Sequence, residues 1–278
     1  MHPSRDIEQT LDAIGAWAEQ SGVELVQVPV GDEKRQVAEP GDAAECDLIV
    51  AVGGDGTMLA AMHAAARVER PVLGVACGSL GVLMTVPARH TTASLERYAA
   101  GDWGRRLLPA LEATPDGGPP MFAFNDLAIA RRGQGQVASA VAVDAVLYAR
   151  FVGDGFVVST PVGSSAYTLA AGGPVLAPGA EGFVLTPLAA HGGSVPPLVI
   201  GDGSVLRVDV TPGYGGIRLE VDGRLMDEEP RSLEVRLRPA VVTLVAFDGQ
   251  EPLLSGLRRR GLIADSPRVL ARDKREGR

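Results

Sequence analysis

Two short stretches of this chain concentrate residues that could do chemistry. The first is Gly53-Gly54-Asp55-Gly56-Thr57, which ends the apolar run Leu48–Val52 and opens a second apolar segment, Met58–Ala66. Gly53, Gly54 and Gly56 allow positive φ and close approach of bare backbone to a ligand. Thr57 is placed to cap a helix whose N-terminus carries partial positive charge, a setting that suits phosphate groups. Asp55 is the odd member, because a carboxylate repels bound phosphates. It fits if it binds a metal ion or takes the proton of a hydroxyl that attacks phosphorus. An Asp-Gly turn with a solvated carboxylate is the plain alternative.

The second stretch is Gly153-Asp-Gly-Phe-Val-Val-Ser-Thr-Pro-Val-Gly-Ser-Ser-Ala-Tyr167. Tyr167 offers a flat face to a base or sugar, with a hydroxyl at its edge. Ser164, Ser165 and the neighbouring backbone N–H groups offer donors to phosphate or ribose, and Asp154 can accept from an amide or hydroxyl. Between the two stretches, Asn125 and Asp126 follow Phe124 on an apolar run. Burying that polar pair is costly unless it bonds a ligand or a neighbouring turn. Its alternative is an exposed bulge.

The elements that must position these residues follow from periodicity. Ile7, Leu11, Ile14 and Trp17 recur at helical spacing and end near Gly22. Val23–Val30 alternates like a strand, and 31–45 is a polar loop. Strand 46–52, helix 57–68, strand 71–76 and a short helix over 91–98 continue the alternation. That order indicates an α/β domain built on a doubly wound parallel sheet. Such a domain normally opens with a strand, yet Met1–Arg5 lead straight into the helix. The sheet is therefore expected to lack its first strand, either because the chain begins one strand late or because this is a variant without it.

Residues 112–120 have a linker's composition. Beyond them, β-type runs dominate: 121–131, 137–147, 155–159, 183–186, 205–210, 216–222, 232–237 and 241–247, with one apolar stretch, 164–172, as a helix candidate. The division expected is 1–113 as an α/β nucleotide-binding domain and 114–249 as a β-rich dinucleotide-binding domain. Residues 250–278 are expected to pack back onto the first domain through Leu253, Leu257 and Leu262, and 271–278 to be disordered.

The 278 residues are 46% hydrophobic, enough for a well-buried core, and the net charge of -8 argues against nucleic acid or an anionic membrane as partner. The two cysteines, Cys46 and Cys77, flank apolar runs as reduced core residues of a cytoplasmic protein would. The first residues do not read charged then apolar, so no secretory leader is expected, and no apolar run nears the roughly 20 residues of a membrane span. No His/Cys cluster has metal-ligand spacing, so no protein metal site is expected. His63 is expected as a surface or core residue of its helix, His191 as a structural loop residue, and 227–229 and 258–260 as solvated charge.

Taken together, GGDGT (Gly53–Thr57), CGSLGVL (Cys77–Leu83), Asn125-Asp126, Asp154–Tyr167, AGGPV (Ala171–Val175), Thr186-Pro187 with His191, and Val221-Asp-Gly223 resemble the NAD kinase family in order and spacing. The likeness runs from about His2 to Leu262, and Asp154–Tyr167 is its discriminating part. The resemblance implies an N-terminal α/β domain, a C-terminal β-domain, NAD in the cleft between them, and a homodimer or homotetramer. It implies that Asp55 takes the proton of the adenosine 2′-hydroxyl and that Gly56 lies against the dinucleotide. By the same likeness Asn125 and Asp126 contact adenine and ribose, Asp154 stands near the nicotinamide end, and Ser165, Ala166 and Tyr167 form the adenine-side wall. ATP would arrive with Mg2+ or another divalent cation.

The chain departs from the family pattern at Val82 (usually Phe), Asp126 (often Glu), Val162 (usually a small hydroxyl residue), Ala170 (often Ser), Pro196 (commonly Arg) and Arg224 (usually Gln). All except Pro196 fall on positions that touch or approach the nucleotide in the family, so they spare the transfer machinery and bear on the acceptor. Two alternatives to NAD phosphorylation therefore stand beside it. One is a kinase of the same fold acting on another nucleoside or small hydroxyl acceptor. The other is a dinucleotide-binding regulator without turnover.

Overall fold

The computed structural model describes residues 1, 7–29, 36–78, 81–177, 179–249 and 253–276. Helix α1 (Glu8–Ser21) buries Ile14 and Ala18 on one stripe, and Gly22, at φ +66°, closes it in the left-handed conformation that glycine adopts without strain. The alternating segment after it does not become a strand. Its described part, 23–29, pairs only through an isolated bridge from Gln27 to Pro40, and Val23 and Leu25 are exposed. Alternation marks a segment able to pair, but a strand forms only where a neighbour accepts its backbone hydrogen bonds.

The chain then forms β1 (Ile49–Gly53), α2 (Asp55–Ala66), β2 (Val72–Ala76), β3 (Val86–Pro87) and α3 (Thr91–Ala99). The β-rich half follows with β4 (Gly104–Pro115), β5 (Met121–Ala123), β6 (Asp126–Arg131), β7 (Val137–Val143), β8 (Val146–Gly153), β9 (Gly155–Ser159) and the short helix α4 (Tyr167–Ala170). It continues with β10 (Gly182–Leu188), β11 (Leu198–Gly201), β12 (Leu206–Pro212), β13 (Ile217–Val221), β14 (Arg224–Leu225) and β15 (Ser232–Ala246). Helices α5 (Leu253–Arg259) and α6 (Pro267–Glu276) end it.

One sheet runs β1-β2-β15-β12-β7-β8, with β3 beside β2, β4 beside β15 and β5 beside β4; the other runs β11-β10-β9-β6-β13-β14. The parallel part is β1, β2, β3 and the end of β15, where Leu244 pairs with Val72. Alternate residues of these strands face opposite sides. Ile49, Ala51 and Val72 meet Met58, Met62 and Ala65 of α2 on one face. On the other, Leu73 and Val75 meet Ile14 of α1 and Leu95 of α3. This is the expected α/β layer, with β1 at its edge and no strand outside it among the described residues. Between the two sheets lies a second core, with Leu111, Val141, Leu206 and Val235 facing Leu127, Phe156, Phe183 and Leu219.

Four expectations change. The 112–120 stretch is half strand, since β4 runs to Pro115 and only the turn to β5 is free of structure. The runs at 232–237 and 241–247 are one strand, broken by a register shift between Arg238 and Val242 where Ala240 takes φ +56°. The helix candidate at 164–172 shortens to a turn at Gly163–Ser165 and the four residues of α4. Residues 271–276, expected to be disordered, continue α6 to Glu276, although that helix buries none of its residues. Of the leucines expected to pack back, Leu257 of α5 is fully buried and Leu262 is exposed. Val30, the loop residues 31–35 and Ser79-Leu80 of the CGSLGVL stretch lie outside the described residues.

Candidate active site

Asp55 occupies the first turn of α2, where Gly54 in extended conformation is the N-cap and no side chain caps the helix. Thr57 is therefore inside the helix, not its cap. The first intrahelical bond is Met58 N–H to Gly54 C=O, so the N–H groups of Asp55, Gly56 and Thr57 have no intrahelical acceptor. The Asp55 carboxylate folds back over the β2–β3 connection. Its Oδ2 accepts from Val82 N–H and its Oδ1 from Leu83 N–H, both at 3.0 Å. A Cβ on Gly81 would stand 2.0 Å from Oδ1, so only glycine lets the carboxylate lie there. The Nη1 of Arg260 is 3.9 Å from Oδ2, and both side chains are 30% exposed. Arg260, expected as solvated charge, stands at the site.

Asn125 and Asp126 are held from behind by Asp222. Asp222-Gly223 is the two-residue turn between β13 and β14, with φ of +50° and +74°, as a type I′ hairpin turn requires. The Asp222 side chain is 1% exposed. Its Oδ2 accepts from Phe124 N–H at 2.9 Å, and its Oδ1 from Asn125 N–H at 2.7 Å and Asp126 N–H at 3.2 Å. The fourth donor is Nε2 of His63, 2.7 Å from Oδ2. His63 lies on α2 and meets the Phe124 ring edge-on at 5.0 Å. A polar tie thus joins the helix that begins at Asp55 to the loop that carries Asn125. Sequence reasoning missed the role of both partners. The Asp-Gly pair after an apolar strand signals a hairpin, but nothing local says what its carboxylate will bind.

The Asp126 carboxyl is buried, and its pKa rises from 3.8 to about 7. Loss of hydration is the main cause and the Asp222 charge the next; the backbone N–H of Tyr167 opposes them, and Glu220 adds to the rise. The turn carrying Ser165, Ala166 and Tyr167 is bound to the same loop. Thr160 N–H donates to Asn125 C=O at 2.9 Å, Thr160 Oγ1 donates to Phe124 C=O at 2.7 Å, and Gly163 N–H donates to Thr160 Oγ1 at 3.0 Å. A Cβ on Gly163 would stand 1.8 Å from Asn125 O. Ser164 is fully buried, with its hydroxyl donating to Pro161 C=O and accepting from Leu176 N–H, so it holds the turn rather than a ligand. Ser165 donates to Val162 C=O. Ala166 is exposed and Tyr167 half-buried. Among the described residues, no hydrogen bond takes up the Asn125 amide or the Tyr167 hydroxyl.

Phe124 and Val162 pack into the apolar cluster formed by Met58, Leu59, Met62 and Leu83. Asp55, Asn125, Asp126 and the Ser165–Tyr167 turn are therefore arranged around one shared core. Asp154 is not. β6 and β9 pair with Asp126 opposite Ser159 and Ala130 opposite Gly155, which leaves Asp154 about 17 Å along the strand from that end. There it pairs with Arg131 at 2.6 Å, beside a cavity of about 690 Å³ that Gln136, His191 and Tyr214 also line.

Both halves of the chain match known proteins. Residues 5–103 match the family model of the ATP-NAD kinase N-terminal domain, and 124–241 that of the ATP-NAD kinase C-terminal domain. The chain is 37% identical over 209 residues to an NAD kinase of Porphyromonas gingivalis, covering 69% of this chain and 72% of that one. It is 31% identical over 229 residues to an NAD kinase of Prosthecochloris aestuarii, covering 79% of each. In fold it is similar to a yeast NADH kinase complexed with NADH, at a TM-score of 0.75 and 20% identity over 92% of this chain and 85% of that one. An Archaeoglobus fulgidus NAD kinase in complex with ATP aligns at 0.65 and 24% over 91% and 92%. By these matches through both halves of its sequence, the chain belongs to the NAD kinase family.

Proposed function

We propose that this chain transfers the terminal phosphoryl group of ATP to the adenosine 2′-hydroxyl of NAD, forming NADP, with Asp55 as general base. The carrying observation is the Asp55 carboxylate, immobilised by two backbone N–H groups at the open N-terminus of α2, above the core it shares with the Asn125–Asp126 loop. The yeast and archaeal structures, complexed with NADH and with ATP, support this choice of ligands. In this reading the Asn125 amide and Asp126 carboxyl hold the adenosine, with Ser165, Ala166 and Tyr167 as its wall. The backbone of Gly53, Gly54, Gly56 and Thr57 faces the phosphates. Asp154 meets the nicotinamide end. The 2′-oxygen loses its proton to Asp55 and bonds to the γ-phosphorus, while the bond to the β,γ-bridging oxygen breaks and ADP leaves with its electron pair.

Among the described residues no three His, Cys, Asp or Glu side chains converge on a metal-sized site. A divalent ion would arrive on ATP, held chiefly by the phosphates, with Asp55 as the carboxylate that could contact it. When bound, that ion spreads the phosphate charge. Assembly as a homodimer or homotetramer and a cytoplasmic location belong to the same reading. Among the described residues no helix is long and apolar enough to cross a membrane.

The test is incubation of the purified chain with NAD, ATP and Mg2+, followed by chromatographic detection of NADP. A panel of nucleosides and sugars runs in parallel. Faster turnover of any panel member than of NAD, or no product from NAD, would refute the acceptor.

A further inference from the structure

We infer that Arg260 is the protein's own cation for the terminal phosphate of the donor, a role that rests on reading Asp55 as the base of a phosphoryl transfer. Three observations carry it. The first is place: the Arg260 guanidinium lies 3.9 Å from the Asp55 carboxylate and is partly open to solvent. The second is aim. Arg260 N–H donates to Gly256 C=O, continuing the turn of α5, and Leu257, three residues earlier on the same face, is fully buried. Arg258 points elsewhere, in a two-pronged pair with Asp265 at 2.8 and 2.6 Å.

The third is availability. A charge-assisted bond to a carboxylate is about 2.7–2.9 Å long. At 3.9 Å Arg260 is not bonded to Asp55, whose two oxygens already accept from Val82 and Leu83. Among the described residues its side chain makes no hydrogen bond, so its donors remain for a ligand. The surroundings also call for a cation. Asp55 is acidic, and a helix N-terminus supplies only about half a charge. A triphosphate arriving here adds negative charge beside the Asp55 carboxylate. A planar guanidinium can bridge two non-bridging oxygens of the γ-phosphate. It then neutralises the charge that develops as the acceptor oxygen bonds to phosphorus, the β,γ bond breaks onto ADP, and the acceptor proton passes to Asp55.

The experiment compares the full chain with Arg260→Gln, Arg260→Lys and, as a control, Arg258→Gln. Dissociation constants for ATP and ADP are measured by calorimetry, and kcat by NADP formation. A γ-phosphate contact predicts that Arg260→Gln weakens ATP roughly tenfold, leaves ADP unchanged and lowers kcat about a hundredfold. Arg260→Lys recovers part of both, and Arg258→Gln behaves as the parent. Equal loss of ATP and ADP, unchanged ATP binding in Arg260→Gln, or a parent that does not distinguish ATP from ADP each overturns the assignment. If the parent makes no NADP yet shows an Arg260-dependent preference for ATP, the acceptor reading fails and the arginine assignment stands. If NADP forms and Arg260→Gln is unchanged, the reverse holds.

Discussion

Asp55 keeps its place through a neighbour that has no side chain. The two N–H groups of Val82 and Leu83 can reach its oxygens because Gly81 leaves the space above its own Cα empty. Gly81→Ala should displace the carboxylate and lower kcat at least tenfold while changing the KM for NAD little, as steady-state kinetics would show. Asp55→Asn removes the proton acceptor and should cost roughly 10²–10⁴ in kcat. A second residue-scale effect concerns Asp126. Its pKa is about 7 in the fold against 3.8 outside it, so between those values the folded protein holds a proton that the unfolded chain has lost. This contribution to stability is whole below pH 4 and disappears as pH rises through 7. Asp126→Asn should therefore stabilise the protein more at pH 8 than at pH 4, by on the order of 2–4 kcal/mol, measurable by urea unfolding at the two pH values.

Among the elements, α2 acts as a strut. Asp55 and His63 are eight residues apart, so about 12 Å of helix separates the reacting carboxylate from the tie to Asp222. Removing the Asp222 carboxylate leaves three backbone N–H groups and an imidazole without an acceptor. Asp222→Ala should cost about 3–5 kcal/mol. His63→Leu keeps the apolar contact with Phe124 and loses one bond, so about 1–2 kcal/mol is expected, with a raised KM for NAD from a loosened Asn125–Asp126 loop. Equal KM in parent and variant would show that the tie does not govern the acceptor site. The hairpin is visible in the sequence, since Asp-Gly between alternating runs marks a type I′ turn. Its bond to a helix residue 159 positions away is not, because no local pattern encodes such a partner.

At the scale of the molecule, β15 joins the two halves. It pairs with β12 and β4 over most of its length and reaches β2 at Leu244, so strands from both ends of the chain share one sheet. β4 likewise runs through the position where composition suggests a boundary. The two halves should then unfold together. Differential scanning calorimetry is expected to give one transition, and two well-separated ones would show that the shared sheet does not couple them.

The sequence by itself determined the strand–turn–helix around Asp55, the α/β character of the first half, most of the β-runs of the second and the order of the family motifs. These depend on periodicity and on the conformational freedom of glycine, which act over a few residues. Only the tertiary structure decided that 23–29 pairs through an isolated bridge at Gln27 and not as a strand, that β15 is one bent strand, that Ser164 is consumed within its own turn, and that Asp154 lies a strand's length from Asn125. It alone brought His63 to Asp222 and Arg260 to Asp55. Each of these depends on which distant backbone or charge arrives alongside, and that is set by the packing of the two sheets and α2 around shared cores.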